Sequence, residues 1–274
     1  MNMIPIIKCP ICKTDNNLKK WTYIAVNESS IECTNCDVVF ATNILSESEL
    51  YNFYEKYNVN RNNDNSKLYN QRQICYNNDK RFIENNCGKK YKNIIDIGCG
   101  DGQFLSLFES DKKTGFDIDK NIIEVNKKIY ENILFISDLN VIKKDEMFDL
   151  IIFRGTFQYM RDLEFIQKFI NEHLIHMGYL VILSLPNKNS PLAMIQREKW
   201  ALYNPIEMIN IFSLTSIKKL FNDYDMSIFE FPYLDTPYAN EKADSEKFIE
   251  LIENKKNDKF PFWGSMIQII FQKK

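Results

Sequence analysis

The chain has 274 residues, 45% of them hydrophobic and 26% charged, with 35 Lys and Arg against 37 Asp and Glu. That composition supports a packed core and excludes wholesale disorder, while a net charge of −2 gives no overall attraction for nucleic acid or an anionic membrane. No apolar run of about 18 residues is present, so no membrane insertion is expected, and the start MNMIPIIKCP lacks the regions of a secretory leader, so a reducing, cytoplasmic setting is the expectation.

In chain order, Cys9, Cys12, Cys33 and Cys36 come first, as C-P-I-C and C-T-N-C with twenty residues between the pairs. Two such pairs can each sit on a tight turn and together surround one tetrahedral ion, the signature of a structural zinc site; iron or a redox pair are the alternatives. A module of about 40 residues cannot stabilise itself by burial alone, which gives the metal a structural task. The short β-prone runs WTYIAV and VVF complete a ribbon over residues 1–45, where four lysines against four acids leave no basic footprint for nucleic acid. Residues 46–90 read as a helical connector and lid. SESELYNFYEKY is a helix by the spacing of Leu50, Phe53, Tyr54 and Tyr57, the Asn-rich tract NVNRNNDNS a mobile loop, and KLYNQRQICYNNDKRFIENN a second helix.

From Tyr91, strands and helices alternate: NIIDIG, QFLSLFES, KTGFDI, KNIIEVNKKIYEN, ILFISD, FDLIIF, LEFIQKFINEHLIH and YLVILSLP. Such alternation predicts an α/β fold, a doubly wound and mostly parallel sheet covered on both faces. The tail continues it with SLTSIKKLFNDY and EKADSEKFIELIENKK as helices, IFEFPY and SMIQIIFQ as strands, so one domain is expected over 91–274.

The chemical signal of this domain is IIDIGCGDG, in which Gly98, Gly100 and Gly102 follow a strand ending at Asp96 and precede a helix. Glycines there allow a sharp turn and close approach of a ligand; a mere tight turn is the plain alternative. Asp117, at the end of the next strand, suits the hydrogen bonds of a ribose diol, whereas Asp119 suits the cap of the helix after it. Cys99 within the turn and Cys75 on a helix are expected to be core fillers.

Residues 91–185 resemble class I S-adenosylmethionine-dependent methyltransferases. D-x-G-x-G-x-G at 96–102 is similar to their first motif, GFD at 115–117 to the acidic end of their second strand, SD at 137–138 to their adenine-side acid, and FDLIIFRGTFQYM at 148–160 to their fourth-strand motif. The resemblance implies a seven-stranded Rossmann-like sheet with S-adenosylmethionine as cofactor. The implied cofactor residues are Asp96, Gly98, Cys99, Gly100, Gly102, Asp117, Ile118, Asp138, Leu139 and Arg154, with the backbone at Gly98–Gly102 flanking the methionine part, Asp117 at the ribose, and Asp138 with Leu139 at the adenine. The stretches IECTNCDVVFATNILSESELYNFYEKY and PNKNSPLAMIQREKW resemble a subgroup with an N-terminal cysteine ribbon whose members tailor bacterial polysaccharides and small metabolites. That implies a small-molecule acceptor: a sugar, nucleotide-linked or phosphoryl-containing hydroxyl compound.

The acceptor side departs from the subgroup. Gln158-Tyr159 stands where Glu-His is common, and Met208 where His is common before Phe212-Ser213. The histidines, His173 and His176, fall at the end of a helix, where dipole partners or solvated residues are expected. Tyr159 and Glu207 are the catalytic candidates, with Glu198 and Tyr203 behind them; Tyr159 is a poor base at its ordinary pKa of about 10 and serves equally as an aromatic lid. Lys67, Arg72, Arg197 and Trp200 are candidates to grip a phosphate or sugar. Methylation of RNA, tRNA or protein through the ribbon, and a non-catalytic scaffold role, are the competing function classes.

Overall fold

The computed structural model describes residues 3–25, 28–62, 66–190, 193–194, 200, 202, 208–230 and 266–274. The helix expected over 241–256 and the end of the strand expected over 228–233 lie outside them. At the amino-terminal side are β1 (Met3–Pro5), β2 (Leu18–Ala25), β3 (Glu28–Cys33), β4 (Val38–Ala41) and β5 (Asn43–Leu45), followed by α1 (Glu47–Asn62) and α2 (Ser66–Cys87). The main sheet then unfolds in order: β6 (Tyr91–Ile97), α3 (Gln103–Ser106), β7 (Ser110–Phe116), α4 (Lys120–Ile129), β8 (Leu134–Ile136), β9 (Phe148–Arg154), α5 (Leu163–His173) and β10 (Leu174–Pro186). β11 (Asn210–Ile211), α6 (Leu214–Leu220), β12 (Tyr224–Glu230) and β13 (Met266–Lys273) complete the described elements.

The seven strands of the main sheet run β12-β13-β10-β9-β6-β7-β8. β6, β7, β8, β9 and β10 are parallel, and β13 lies antiparallel between β10 and β12. This is the doubly wound, mostly parallel α/β sheet expected from the strand–helix alternation.

Strands covered on both faces need apolar residues at every position, and alternate residues then serve opposite layers. Ile95 and Ile97 of β6, Ile151 and Phe153 of β9, and Leu180 and Ile182 of β10 join one buried cluster. Their neighbours Ile94, Leu150, Ile152, Val181 and Leu183 join the other. The second layer is completed by Tyr76, Phe82 and Ile83 of α2 and Ile122 and Ile123 of α4. The first is completed by Leu163, Ile166, Phe169 and Ile170 of α5, Ile217 and Leu220 of α6, and the ribbon residues Cys9, Cys33, Cys36, Val38 and Phe40. Each such side chain contributes about 1.5–3 kcal/mol on burial.

The ribbon is built into this layer. β2, β3 and β4 form an antiparallel sheet that takes β11 as its fourth strand, with Phe40 opposite Asn210 and Val39 opposite Ile211. The turn after Cys36 is clamped as well. Lys188, at the end of β10 and buried, pairs with Asp37 and, at 2.7 Å, with Glu32. Asn189 Nδ2 donates to Asp37 at 3.1 Å, and Lys219 Nζ donates to the Asn35 carbonyl. Although burial pushes the Asp37 carboxyl upward, the hydrogen bonds from Lys188, Ser213 and Asn189 hold it below its ordinary value.

Several sequence expectations are corrected. The Asn-rich tract is helical through Asn62; asparagine disfavours helix only slightly, and propensity is a weak guide beside tertiary context. The helix after the glycine turn is a single turn, because Ser110 already enters β7. α5 ends at His173 and β10 begins at Leu174, so His176 lies on a strand and not at a helix end. Trp200 is 3% exposed and packs with Val39, Ala193, Met208 and Ile211, neither gripping a ligand at the surface nor solvated.

Removing the Lys188 ammonium leaves the partly buried carboxylates of Asp37 and Glu32 without their shared cation. Lys188→Ala is expected to lower stability by about 3 kcal/mol, measured by urea unfolding, with the loss scarcely reduced by salt.

Candidate functional site

A cavity of about 770 Å³ opens at the carboxyl ends of β6, β7 and β9. β6 has β7 on one side and β9 on the other, so the chain reverses its winding there, and ligands of open α/β sheets bind at such points.

The floor is the glycine turn. Gly98, Gly100 and Gly102 have φ of +85°, +53° and +73°, values that residues with a Cβ adopt only under strain. Gly98 has a second constraint: a Cβ there would lie 2.3 Å from Thr156 Cγ2. The turn is tied down from three sides. Gly98 N and Cys99 N donate to the Phe116 carbonyl at 2.7 and 2.9 Å. Buried Asn126 of α4 donates to the Gly100 carbonyl at 2.7 Å, and Thr156 Oγ1 donates to the Ile97 carbonyl at 2.6 Å. Gly102 starts α3 and does not line the cavity.

Asp117 follows β7 and lines the cavity, with Oδ2 accepting from Gly100 N and Oδ1 from Asp119 N, both at 3.0 Å. Asp119 is the α4 cap, accepting from Asn121 N and Ile122 N. Ile118 and Leu139 also line the cavity. Asp138 does not: it is exposed, and its Oδ1 caps the 3₁₀ turn at Leu139–Val141 by accepting from Asn140. Cys99 lines the cavity from within the turn and is buried, and burial pushes its thiol well up.

Asp96, at the end of β6, is 2% exposed, and its Oδ1 has no hydrogen-bond partner. Burial raises its pKa to about 7, with the charges of Asp117 and Asp101 adding to the rise and Arg154 opposing it. Arg154 ends β9 and pairs through Nε with Asp79 Oδ2 of α2 at 2.7 Å. Its guanidinium lies 4.5 Å from the Tyr76 ring centroid and 5.3 Å from that of Phe104. Burial pushes the Asp79 carboxyl upward, partly offset by that same guanidinium.

The far wall comes from α1 and the segment after β9: Leu50, Tyr54, Tyr159, Met160, Arg161 and Phe165. Tyr159 stands in the cavity wall, and Arg72 joins it from α2. Glu207, Glu198, Tyr203 and Arg197 lie outside the described residues, and Lys67 lies on α2. Neither histidine reaches the cavity. His173 is buried and its Nδ1 donates to the Glu146 carbonyl at 2.7 Å, while His176 is exposed near the start of β10.

Sequence reading did not single out Asp79, Asn126, Thr156 or Arg161. Asn126 alone carried a local signal, a polar residue on the buried face of α4 between Ile122 and Tyr130.

The four paired cysteines form one cluster, their sulfurs all within 4.8 Å of one another. Cys12 Sγ and Cys33 Sγ are 3.8 Å apart, close to the sulfur–sulfur edge of a tetrahedron with metal–sulfur bonds of about 2.3 Å. Cys9, Cys33 and Cys36 are buried, no disulfide joins the four, and burial pushes the Cys36 thiol up to about 11. Thiols so placed suit a soft divalent cation.

A doubly wound sheet with an acid-led glycine turn and a carboxylate lining the cavity at its switch point is the arrangement of the Rossmann-like methyltransferase class. The chain matches the methyltransferase-domain family over residues 67–230 and belongs to that family. Malonyl-[acyl-carrier protein] O-methyltransferase of Calditerrivibrio nitroreducens is 26% identical over 125 residues, 39% of this chain and 44% of that protein. The Bacillus anthracis protein of the same name is 29% identical over 110 residues, 38% of this chain and 39% of that protein. The chain thus spans less than half the length of these curated relatives. A solved methyltransferase from Thermotoga maritima, described as a possible histamine N-methyltransferase, shares the fold at a TM-score of 0.53 and 16% identity, covering 82% of this chain and 97% of that one.

Asp96 is protonated in the folded protein up to pH about 7, against an unfolded value of about 3.9. It therefore favours the folded state below about pH 4, and that contribution fades as the pH rises to 7. Without cofactor, Asp96→Asn is expected to gain stability over the parent across that window, by up to about 4 kcal/mol, read from urea unfolding at successive pH values.

Proposed function

We propose that the chain transfers a methyl group from S-adenosylmethionine to an oxygen of a small-molecule acceptor. One observation carries this reading: a cavity at the switch point, floored by a glycine turn, with an unpartnered buried carboxylate at Asp96 and an oriented one at Asp117. Bound there, the cofactor would supply a methyl group on a sulfonium sulfur, which takes the electron pair of the broken bond as the acceptor oxygen bonds to carbon.

Both oxygens of Asp117 accept backbone N–H groups, which orients the carboxylate at the cavity wall, where it would accept from a ribose hydroxyl. Asp96 is placed to receive the methionine ammonium, which would draw its proton away and relieve its burial cost. Leu139 and Ile118 would offer apolar walls to the adenine. The chain's part in the transfer is to hold acceptor and methyl group in line and exclude water. A hydroxyl acceptor also needs a proton removed, and Tyr159 is the described cavity group for that step, with Glu207 the second candidate.

Two acceptor classes follow from similarity. The cysteine-ribbon subgroup suggests a hydroxyl of a polysaccharide precursor, and the curated relatives act on malonyl-[acyl-carrier protein]. Both present an oxygen nucleophile on a small, anion-bearing group.

S-adenosylhomocysteine is expected to bind the parent tightly and Asp117→Ala about 10- to 100-fold more weakly, as suits loss of charge-assisted hydrogen bonds. Calorimetry finding full affinity in that variant would overturn the site.

We further propose that Cys9, Cys12, Cys33 and Cys36 hold one structural zinc ion, a closed four-thiolate set with no position for a catalytic water. Metal analysis should return one zinc per chain, lost in Cys33→Ser. Because these cysteines belong to the main core, chelation should lower the melting temperature of the whole protein, not of the ribbon alone.

A further inference from the structure

Three arginines, Arg72, Arg154 and Arg161, line the cavity, and their surroundings differ. Arg154 is paired with Asp79 and lies against the Tyr76 and Phe104 rings, beside the glycine turn. Arg161 belongs to the opposite wall, two residues after Tyr159. Its Nη2 donates to the carbonyl of Leu45, the last residue of β5, and its Nε is buried with no hydrogen-bond partner. No carboxylate lies within ion-pair distance of it among the described residues. The adjoining Asp162 is exposed and spends its Oδ1 on Phe165 N as the α5 cap. Tyr54 and Glu47 are the titratable groups of α1 that favour its charged form, and they do not offset the cost of its burial.

A guanidinium stays charged in proteins. One that is half-buried, held by a single neutral carbonyl and short of a carboxylate is costly until an anion joins it. The cavity supplies the route for that anion. Position argues against the cofactor as its source, because the glycine turn that would flank the methionine part has Arg154 beside it, whereas Arg161 is tied to the ribbon and α1.

We propose that Arg161 is the acceptor-reading residue, taking an oxyanion of the acceptor, carboxylate or phosphoryl, in a two-pronged hydrogen bond and so selecting acidic over neutral small molecules. This rests on reading the cavity as a methyl-transfer site. It also accounts for a feature of the wall: no histidine reaches it. An acceptor whose nucleophile is a carboxylate is already ionised at neutral pH and needs no general base. The ribbon then has a local task, since the Leu45 carbonyl fixes the side chain that reads the acceptor.

The test uses full-length protein saturated with S-adenosylhomocysteine, titrated with malonate, inorganic phosphate and uncharged malonamide, and read by calorimetry and thermal shift. Malonate or phosphate should bind in the millimolar range and malonamide at least ten-fold more weakly. A preference for malonate assigns the carboxylate source, and a preference for phosphate the phosphoryl one. Arg161→Gln should weaken the anion at least ten-fold while S-adenosylhomocysteine affinity stays within two-fold of the parent; Arg161→Lys should restore part of the anion binding. Equal anion binding in Arg161→Gln, no anion binding by the parent, or malonamide binding as well as malonate would each overturn the proposal. So would a joint fall in S-adenosylhomocysteine affinity, which would hand Arg161 to the cofactor's own carboxylate. Failure of the parent to bind S-adenosylhomocysteine at all would instead sink the methyl-transfer reading, and is seen before any anion is added.

Discussion

The constraint on which the rest depends is that the central parallel strands have no polar face. Ile94 and Ile95, or Leu150 and Ile151, point to opposite layers and all are buried. Helices cover one layer; on the other, α5 and α6 are joined by the cysteine ribbon. A metal-binding module could have been a tethered appendage. Here its cysteines touch the same core as the sheet, its edge strand is completed by β11, and Lys188 locks its second turn. Ribbon and sheet are therefore one cooperative body, and an ion held by the four thiolates would stabilise both.

The carboxyl ends of the strands hold the charges that burial disfavours. Asp96 is kept neutral up to about pH 7, and Asp79 is compensated by Arg154, itself resting against two rings. Such groups are costly in an empty cavity and are relieved by a ligand that carries the opposite charge. A cofactor with both an ammonium and a sulfonium group suits the acidic side, and Arg161 offers the converse to an acid on the other wall.

What the sequence revealed tracks how local the cause is. The glycine turn was legible because positive φ at three alternate positions has few residue solutions, and Asp119 because a helix cap is read within three residues. Both C-x-x-C pairs were legible because the chemistry sets their spacing. The strand–helix alternation followed from apolar runs too short for helices. By contrast, the Asn-rich tract misled because composition speaks of solubility and only weakly of backbone conformation. Asp79 and Arg154 are 75 residues apart and meet only in the fold, as do Asp37 and Lys188, 151 residues apart. Arg161 looked like any surface arginine until the Leu45 carbonyl and the cavity were seen on either side of it. Trp200 looked like a ligand-gripping aromatic because no local rule places it under the ribbon.

The position of β13 has a consequence for the order of assembly. This strand, formed from residues 266–273, inserts between β10 and β12, and β12 has no other strand partner in the main sheet. During synthesis the parallel half, from β6 to β10, can close around its own core while the chain is still emerging. β12 must wait unpaired, its edge exposed, until residues about forty positions further on arrive to fill the gap. Closure of this side of the sheet thus follows that of the parallel half, and in the interval between them the open edges of β10 and β12 can pair with another strand.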